Sequence, residues 1–262
     1  MAASTGAKLG VVVTGGSSGI GRELVKCLVQ RQYTVFAVGR TAAALQALEP
    51  LGVGWAAGDV SDAADVERHW AAAQAFFKEK GSQPFGVCLN AGCGAGRMPF
   101  EVVEPDQIDR VLNTNVKGVM LWLRAVLPVL KERRQGQVVL TSSAAAMRAC
   151  PNAALYSASK FAVQGLLLAV RGELKGTGVK LGSVNPGAVA TEWWTEPERG
   201  GYSEAKVAEL QETPLWSAML APEAVAAQIV ALLEQPPSSN IESVVMDAED
   251  VTGKSPPPAG GR

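Results

Sequence analysis

The chain has 262 residues, of which 47% are hydrophobic, and its formal net charge at pH 7 is −1. These values exclude a largely disordered chain, and without a basic block they give no electrostatic case for binding nucleic acid or an anionic membrane. No apolar run reaches transmembrane length and residues 1–7 lack the apolar stretch of a signal peptide, so we expect a cytoplasmic protein without a membrane partner.

Strand-like and helix-like patterns alternate along the whole chain. Strands are predicted at 9–14, 33–38, 53–57, 85–89, 137–142, 179–184 and 241–246. Helices are predicted at 20–31, 41–48, 62–80, 105–132, 153–175, about 203–212 and 222–234. This alternation predicts the α/β class, with a doubly wound, seven-stranded parallel sheet of the Rossmann type and helices on both faces. We expect one domain over residues 1–250 and a disordered tail, rich in Pro and Gly, at 251–262.

The first predicted strand leads into a glycine-rich turn and then into the first helix. The glycines Gly15, Gly19 and Gly21 follow the spacing GxxxGxG, which differs from the GxGxxG of the usual dinucleotide fingerprint. Glycines let the backbone turn tightly and approach a diphosphate, and the helix N-terminus attracts its charge. The turn therefore indicates a dinucleotide site, although an ordinary tight connection would have the same composition.

The end of the second predicted strand indicates which dinucleotide is bound. In dinucleotide folds an acidic residue here holds the ribose 2′-OH of NAD, whereas an arginine accommodates the 2′-phosphate of NADP. This chain has Gly39 followed by Arg40 and Thr41, with no acidic residue among them. The sequence therefore predicts NADP(H), and a solvated surface arginine is the alternative.

Five landmark residues lie just past the ends of predicted strands 1, 3, 4, 5 and 6. Ligands of doubly wound sheets bind outside the carboxyl ends of the strands, where these residues are expected to meet. They are Gly15, Asp59, Asn90, Ser143 and Pro186.

The cysteine and histidine content argues against two other kinds of site. The four cysteines form no CxxC pair, and the single histidine, His69, falls in a predicted surface helix. Neither a metal site nor a disulfide framework is therefore predicted. No further histidine is available as the base of a serine or cysteine hydrolase.

The most informative motif is the run from Tyr156 to Lys160, YSASK, which opens an apolar helix. Because the two residues stand at i and i+4, the phenol and the ammonium can meet on one helix face. A nearby cation favours the phenolate, so we expect it to lower the pKa of Tyr156 from its reference value of about 10. Ser143, thirteen positions earlier, could orient a substrate oxygen against this tyrosine. The motif predicts proton transfer to or from an alcohol or carbonyl.

Over residues 8–247 the sequence resembles the short-chain dehydrogenases/reductases. The landmarks occur in the order typical of that family: Thr14–Gly21, Asp59-Val60, Asn90-Ala91-Gly92, Asn115, Ser143, YSASK, and Asn185-Pro186-Gly187 with Thr191. Residues 220–242 resemble a subgroup of NADP-dependent enzymes that act on 3-hydroxy acids such as serine.

The resemblance implies a catalytic tetrad of Asn115, Ser143, Tyr156 and Lys160. Tyr156 would be the acid or base, and Ser143 would orient the substrate oxygen. Lys160 would lower the tyrosine pKa and bind the nicotinamide ribose. Asn115 would hold a water that links Lys160 to solvent. Asn113 and Ser142 are neighbours that could be confused with two of these positions, and the family's spacing to Gly118 favours Asn115.

The resemblance also implies contacts with NADP(H). The residues concerned are Gly15, Ser17, Ser18, Gly19, Ile20, Gly21, Arg40, Thr41, Asp59, Val60, Asn90, Ala91, Gly92, Tyr156, Lys160, Pro186, Gly187, Val189 and Thr191. Asp59 and Val60 would contact the adenine, although a helix-capping Asp59 is the alternative. The chain departs from some NADP-dependent relatives, which carry a second basic residue where this one has Ser18.

Residues 187–220 break the regular rhythm, and the resemblance implies that they cover the substrate. Their tryptophans could instead pack onto the core. The predicted substrate contacts are Cys93, Met147, Trp193 and Trp194, although Cys93 could be a passive small residue. The apolar residues at 144–147 predict an apolar pocket wall, whereas Arg148 could bind a carboxylate or lie at the surface.

These features together predict an NADP(H)-dependent oxidoreductase that interconverts an alcohol and a carbonyl. The small-molecule substrate would be a ketone, an aldehyde or a 3-hydroxy acid. The segments 105–132 and 153–175 carry more apolar surface than one core-facing stripe requires, so we also expect a homodimer or homotetramer. The alternative function is a catalytically silent dinucleotide-binding sensor or scaffold.

Overall fold

Seven parallel strands form the central sheet of the computed structural model, which describes residues 8–196, 204–212, 216 and 219–248. The strands are β1 (Lys8–Thr14), β2 (Thr34–Gly39), β3 (Gly54–Ala57), β4 (Ser82–Leu89), β5 (Gly136–Thr141), β6 (Val179–Pro186) and β7 (Ser243–Met246). Their order, β3-β2-β1-β4-β5-β6-β7, reverses between β1 and β4. The predicted doubly wound sheet is confirmed, and its switch point lies where the glycine-rich turn begins. The predicted tail at 251–262 and part of the predicted cover at 187–220 lie outside the described residues.

Helices cover both faces of this sheet. They are α1 (Gly19–Gln30), α2 (Ala42–Gln46), α3 (Ala63–Glu79), α4 (Pro105–Leu112), α5 (Gly118–Glu132), α6 (Ala154–Glu173), α7 (Glu204–Gln211) and α8 (Pro222–Leu233). Within the described ranges none of them is long and apolar enough to cross a membrane. The prediction of one continuous helix over 105–132 is wrong, because a π-helical turn at Asn113–Lys117 separates α4 from α5.

The strands are buried on both faces, which explains why their sequences are continuous apolar runs. In β1, the Val12 side chain lies on one face of the sheet and packs with residues of α3, α5 and α6. The Val11 and Val13 side chains lie on the other face and pack with residues of α1 and α8. Since side chains alternate along a strand, one short sequence supplies both cores.

His69 lies in the core and not on the surface as predicted. It is fully buried on α3, and its Nε2 lies 3.2 Å from the carbonyl oxygen of Ala57. Burial lowers the pKa of this imidazole, so the neutral ring is favoured. In the described part of the chain, no group of three or more His, Cys, Asp or Glu side chains could hold a metal ion.

Candidate functional site

The ends of β1 and β4 are joined by the hydroxyl of Thr14. Its Oγ1 accepts hydrogen bonds from the backbone N–H of Asn90 (3.0 Å) and of Ala91 (3.1 Å). The Asn90 side chain in turn donates to the carbonyl oxygen of Gly15 at 3.3 Å. These bonds hold the glycine-rich turn against the loop after β4, at the switch point of the sheet.

The glycine-rich turn has a shape that only glycine fits at its critical positions. Gly15 and Gly19 have φ angles of +66° and +50°, in the left-handed region that side chains disfavour. A Cβ on Gly21 would lie 2.0 Å from the carbonyl oxygen of Gly15, so any larger residue would push α1 away from the turn. The glycines therefore leave the backbone of the turn uncovered beside the N–H groups at the start of α1. This arrangement fits the diphosphate of a dinucleotide.

The residues predicted to contact the adenosine lie beyond the ends of β2 and β3. Arg40 is exposed directly after β2, and the backbone N–H of Gly58 donates to the carbonyl of Gly39 at 2.9 Å. Asp59 Oδ1 accepts from both the N–H and the hydroxyl of Ser61, each at 2.8 Å. The N-terminus of α3 is capped by Asp62, so the helix-capping alternative for Asp59 is wrong.

The π-helical turn carries Asn115 into the centre of the candidate site. Its Oδ1 accepts from the Cys93 N–H, and its Nδ2 donates to the Cys93 carbonyl, both at 2.9 Å. Nδ2 also donates to Ser159 Oγ at 3.0 Å. A Cβ on Gly92 would lie 3.4 Å from Asn115 Oδ1 and 3.7 Å from Lys160 Nζ, so these groups converge beside the turn after β4.

Tyr156 and Lys160 lie side by side on α6, as their spacing predicts. Lys160 is 5% exposed, and its Nζ donates to the Thr141 carbonyl at 3.3 Å and lies 5.5 Å from the centre of the Tyr156 ring. Ser143, at the end of β5, hydrogen-bonds with the tyrosine. The hydroxyl of Ser142 is buried without a hydrogen-bond partner among the described residues. The geometry thus brings Ser143, and not Ser142, to the phenol.

Burial dominates the ionisation of both groups. It raises the pKa of Tyr156 to about 12, and the hydrogen bond with Ser143 acts in the opposite direction. It lowers the pKa of Lys160 to about 8. The prediction that the lysine depresses the tyrosine pKa is therefore wrong for this state, because removing the phenolate from water has the larger effect. At neutral pH the pair is a neutral phenol beside an ammonium.

Lys160→Met is expected to stabilise the fold at pH 7. A fall in pKa from 10.5 to about 8 corresponds to about 3 kcal/mol against folding. The lost bond to Thr141 offsets about 1 kcal/mol of this gain. Because the unfolded lysine binds its proton more tightly, wild-type stability rises with pH between about 8 and 10.5. Urea unfolding at both ends of this window should show the rise in wild type and its loss in Lys160→Met.

The exposed Lys26, which pairs with Glu23 on α1, provides the control. Lys26→Met should leave the unfolding free energy within about 0.5 kcal/mol of wild type at pH 7. Equal destabilisation by both substitutions would contradict the assignment of a buried, costly ammonium at position 160.

The four predicted substrate contacts have different surroundings. Trp193 meets the Tyr156 ring edge-on, with ring centres 5.7 Å apart. Trp194 Nε1 donates to the Val189 carbonyl at 2.8 Å, which fastens its indole to the loop after β6. Cys93 is buried beneath Asn115, whereas Met147 is exposed. Of these four residues, Trp193 is the one with a described contact to the Tyr156 ring.

A small cavity beside Tyr156 was missed by the sequence analysis. Its apolar lining comprises Ala95, Met98, Phe100, Val103, Ala154 and Leu155. Residues 95–103 follow the turn at Asn90–Gly92 in sequence, which was the signal that could have found them. Arg148 donates to both Asp247 carboxylate oxygens, at 2.8 and 2.7 Å, so its guanidinium is engaged within the chain.

The loop after β6 completes the candidate site opposite α6. The Gly187 N–H donates to the Met246 carbonyl at 2.7 Å, and Val189 forms a β-bridge with Leu220. A Cβ on Gly19 would lie 3.4 Å from Thr191. Of the predicted residues at the end of β6 and after it, Thr191 therefore lies against the glycine-rich turn.

Comparison with known proteins agrees with this arrangement. The family described as short chain dehydrogenase matches residues 10–200. An NADP-dependent 3-hydroxy acid dehydrogenase of Salmonella typhi is 32% identical, over 68% of this chain and 72% of its own.

Two solved structures show the same fold over nearly their whole length. A closed form of serine dehydrogenase complexed with NADP+ has 26% identity and a TM-score of 0.86, covering 97% of this chain and 99% of its own. A 3-ketoacyl-(acyl-carrier-protein) reductase from Brucella melitensis complexed with NADH has 25% identity and a TM-score of 0.78, covering 91% and 97%. From the sheet order, the glycine-rich turn and these matches, we conclude that the chain belongs to the short-chain dehydrogenase/reductase family.

Proposed function

We propose that the protein is an NADP(H)-dependent oxidoreductase that interconverts an alcohol and a carbonyl, with Ser143, Tyr156 and Lys160 as its catalytic residues and Asn115 as the fourth, positioning member of the tetrad. The observation that carries the proposal is the half-buried phenol of Tyr156, which hydrogen-bonds with Ser143 and lies beside Lys160, in a chain whose glycine-rich turn fits a diphosphate. When bound, the dinucleotide would supply or accept the hydride.

The protein groups would handle the proton. In the direction of reduction, the Tyr156 hydroxyl would give its proton to the carbonyl oxygen as the oxygen becomes negative. The Ser143 hydroxyl would donate to the same oxygen and stabilise that charge. The Lys160 ammonium, close to the ring of Tyr156, would then stabilise the phenolate that remains.

Asn115 would act as a positioning residue in this scheme. Its amide fastens the Cys93 backbone to Ser159 on α6, so the loop after β4 and the helix of Tyr156 keep a fixed separation. The implied water beside Asn115 belongs to the same proposal, since the amide lies close to Lys160 Nζ across Gly92.

We propose an uncharged ketone or aldehyde with an apolar substituent as the substrate class. The small cavity beside Tyr156 is lined mostly by apolar side chains, together with Asn152. The Arg148 guanidinium is paired with Asp247, which disfavours its binding a substrate carboxylate. The 192–194 turn would form part of the substrate cover, as Trp193 lies on the tyrosine ring. Measuring NADPH oxidation with ketones, aldehydes, diketones and oxidised 3-hydroxy acids tests this choice, and preference for the acids would overturn it.

The sensor or scaffold alternative has less support. A silent module has no need for a buried lysine beside a tyrosine, because burying the ammonium of Lys160 costs free energy. Failure of the purified protein to turn over any carbonyl with NADPH or NADH, despite binding the cofactor, would favour that alternative.

The expected homodimer or homotetramer would use the exposed faces of α5 and α6. The apolar residues at 121–123 and 166–167 are buried or partly buried against the core, so they leave little surface for a partner. Met120, Phe161 and Leu168 are exposed, and the last two stand seven residues apart on one face of α6. We assign these three exposed apolar side chains to the contact with a second copy.

The double substitution Phe161→Glu and Leu168→Glu is expected to reduce the mass of the assembly, because it places charges in that contact. Light scattering coupled to gel filtration at micromolar concentration measures the effect. Leu51→Glu, at an exposed leucine outside both helices, should leave the mass unchanged. A monomeric wild type at this concentration would rule out the oligomer.

A further inference from the structure

The segment at 57–59, where β3 ends, is held by two polar side chains of α3. Asp65 Oδ2 accepts from the backbone N–H of Asp59 at 2.7 Å. His69 Nε2 lies 3.2 Å from the carbonyl oxygen of Ala57. Because a carbonyl oxygen can only accept, Nε2 carries the proton of the neutral ring and donates to it. Asp65 and His69 stand at i and i+4, so they meet the segment from one face of the helix.

Gly58 allows these two side chains to approach the backbone. A Cβ at position 58 would lie 2.4 Å from Asp65 Oδ2 and 2.6 Å from His69 Cε1, so the space of the missing side chain is filled by them. The Gly58 N–H donates to the carbonyl oxygen of Gly39 at 2.9 Å. The 57–59 segment is therefore fixed between α3 and the end of β2.

The 57–59 segment adjoins two of the residues predicted to contact the adenosine half of NADP(H). Asp59 belongs to the segment, and Arg40 directly follows Gly39. A shift of the segment would move Asp59 and would strain the bond from Gly58 to the residue before Arg40. The contacts from α3 thus help to fix where these two residues lie relative to each other.

Packing alone does not explain a histidine at position 69. The ring is fully buried, and its Nδ1 has no hydrogen-bond partner among the described residues. A buried nitrogen without a partner costs free energy, which an apolar side chain such as leucine would avoid. The bond to the Ala57 carbonyl is what a histidine supplies here and a leucine does not.

We propose that Asp65 and His69 are positioning residues for the adenosine half of the cofactor. The inference rests on the proposed NADP(H) site. From α3 the two side chains hold the 57–59 segment in the conformation that receives the adenosine, so the dinucleotide does not have to order it on binding. Their loss would therefore weaken cofactor binding without slowing the chemical step.

His69→Leu is the direct test, because it keeps an apolar side chain in the core and removes the donor to Ala57. Adenosine 2′,5′-bisphosphate is the probe, since it contains the adenosine half of NADPH without the nicotinamide. Its Kd and that of NADPH, measured by calorimetry, are expected to rise about three- to tenfold, the factor that corresponds to one neutral hydrogen bond.

Two further readouts separate positioning from a general structural role. The kcat at saturating NADPH should stay within about twofold of wild type in His69→Leu, because only binding is affected. His69→Gln should restore both Kd values to within about twofold of wild type, because its amide nitrogen can donate in place of Nε2. A loss of kcat equal to the loss of affinity, or no rescue by glutamine, would overturn the role of His69.

Trp70→Phe provides the matched control for a loosened α3. Trp70 is 5% exposed, and its indole N–H has no partner among the described residues. The substitution shrinks a buried ring of the same helix without removing a described bond to the 57–59 segment. Both Kd values should stay within about twofold of wild type. Equal weakening by Trp70→Phe and His69→Leu would reduce the effect to helix stability and overturn the proposal.

Asp65→Ala tests the second contact, and it keeps the inference testable if His69→Leu does not fold. Asp65 also pairs with Arg68 at 2.7 Å, so Arg68→Ala is the control that removes this exposed ion pair alone. Asp65→Ala should weaken the bisphosphate about three- to tenfold, and Arg68→Ala less than about twofold.

Failure of this inference is distinguishable from failure of the proposed function. Unchanged affinity for the bisphosphate in both His69→Leu and Asp65→Ala, in a wild type that binds NADPH, would refute the positioning role alone. A wild type that binds neither NADPH nor NADH would refute the proposed function and this inference with it.

Discussion

Tyr156→Phe is expected to lower kcat for carbonyl reduction by about 10²- to 10⁴-fold, the range for loss of a general acid. The substitution removes only the hydroxyl, so the ring keeps its edge-on contact with Trp193 and its place above Lys160. The Kd of NADPH should change less than threefold. Steady-state kinetics with the best substrate of the carbonyl screen, together with calorimetry, separates the two quantities.

The matched control for this prediction is Tyr33→Phe. Tyr33 is also partly buried, stacks on Phe85 with ring centres 6.4 Å apart, and has its pKa raised to about 12 by burial. It lies beside Glu234, at the opposite end of α1 from the glycine-rich turn. Loss of the Tyr33 hydroxyl should leave kcat within about twofold of wild type. A single hydroxyl outside the candidate site affects the free energy of unfolding more than the rate of the reaction. If Tyr156→Phe also retains full kcat, another group is the proton donor.

The fold could be predicted from local patterns because its strands are buried on both faces. Runs such as Val11–Val13 have the same composition whichever face they meet, so β1 could be identified without its partners. The interruption between α4 and α5 had no comparable signal. The π-helical turn places Asn115 between Cys93 and Ser159, which are both far from it in the sequence. The hydrogen bonds to these two residues fix the conformation of the turn.

The candidate site was predictable where one element carries both partners. Tyr156 and Lys160 share a helix, so their spacing alone brings them together. Contacts between elements were not predictable in the same way. The pairing of Arg148 with Asp247 spans 99 residues, and the pairing of Arg22 with Glu192 spans 170. Neither pairing produces a periodic pattern in the sequence. Both depend on where the loops after β5, β6 and β7 lie in the folded chain.

The pKa of Tyr156 could not be predicted from the sequence either. A spacing argument counts neighbouring charges, and it therefore predicts a depressed pKa for Tyr156. Desolvation depends on everything that surrounds the group, and here it raises that pKa. The burial of His69 has the same origin, since the space left by Gly58 admits the ring.

Arg40→Ala is expected to weaken NADPH binding by about ten- to a hundredfold and to leave NADH binding nearly unchanged. Arg40 stands exposed at the end of β2, where its guanidinium can donate paired hydrogen bonds to a 2′-phosphate. One such charged hydrogen bond contributes about 1.5–3 kcal/mol. NADH offers no anion at this position. Values of kcat/KM and Kd for both cofactors measure the change.

The matched control is Arg31→Ala. Arg31 pairs with Glu234 at 2.5 Å, beyond the last residue of α1, and so lies far along the helix from the glycine-rich turn. Its removal changes the net charge equally but should alter neither cofactor's Kd by more than about twofold. If Arg40→Ala weakens both cofactors alike, its role is structural and Thr41 or Ser17 becomes the next candidate.

Adding Gly39→Asp to Arg40→Ala should reverse the preference towards NADH. A carboxylate at the end of β2 would accept from the ribose 2′-OH and repel a 2′-phosphate. A Cβ at position 39 would lie 3.1 Å from Ser17 Oγ and 3.6 Å from Leu45 Cδ2. This contact is tight, but the serine hydroxyl can rotate away, so the strand end should accept the new side chain. Because NADH complexes occur among proteins of this fold, a wild type that already prefers NADH is the result that would refute the role of Arg40 outright.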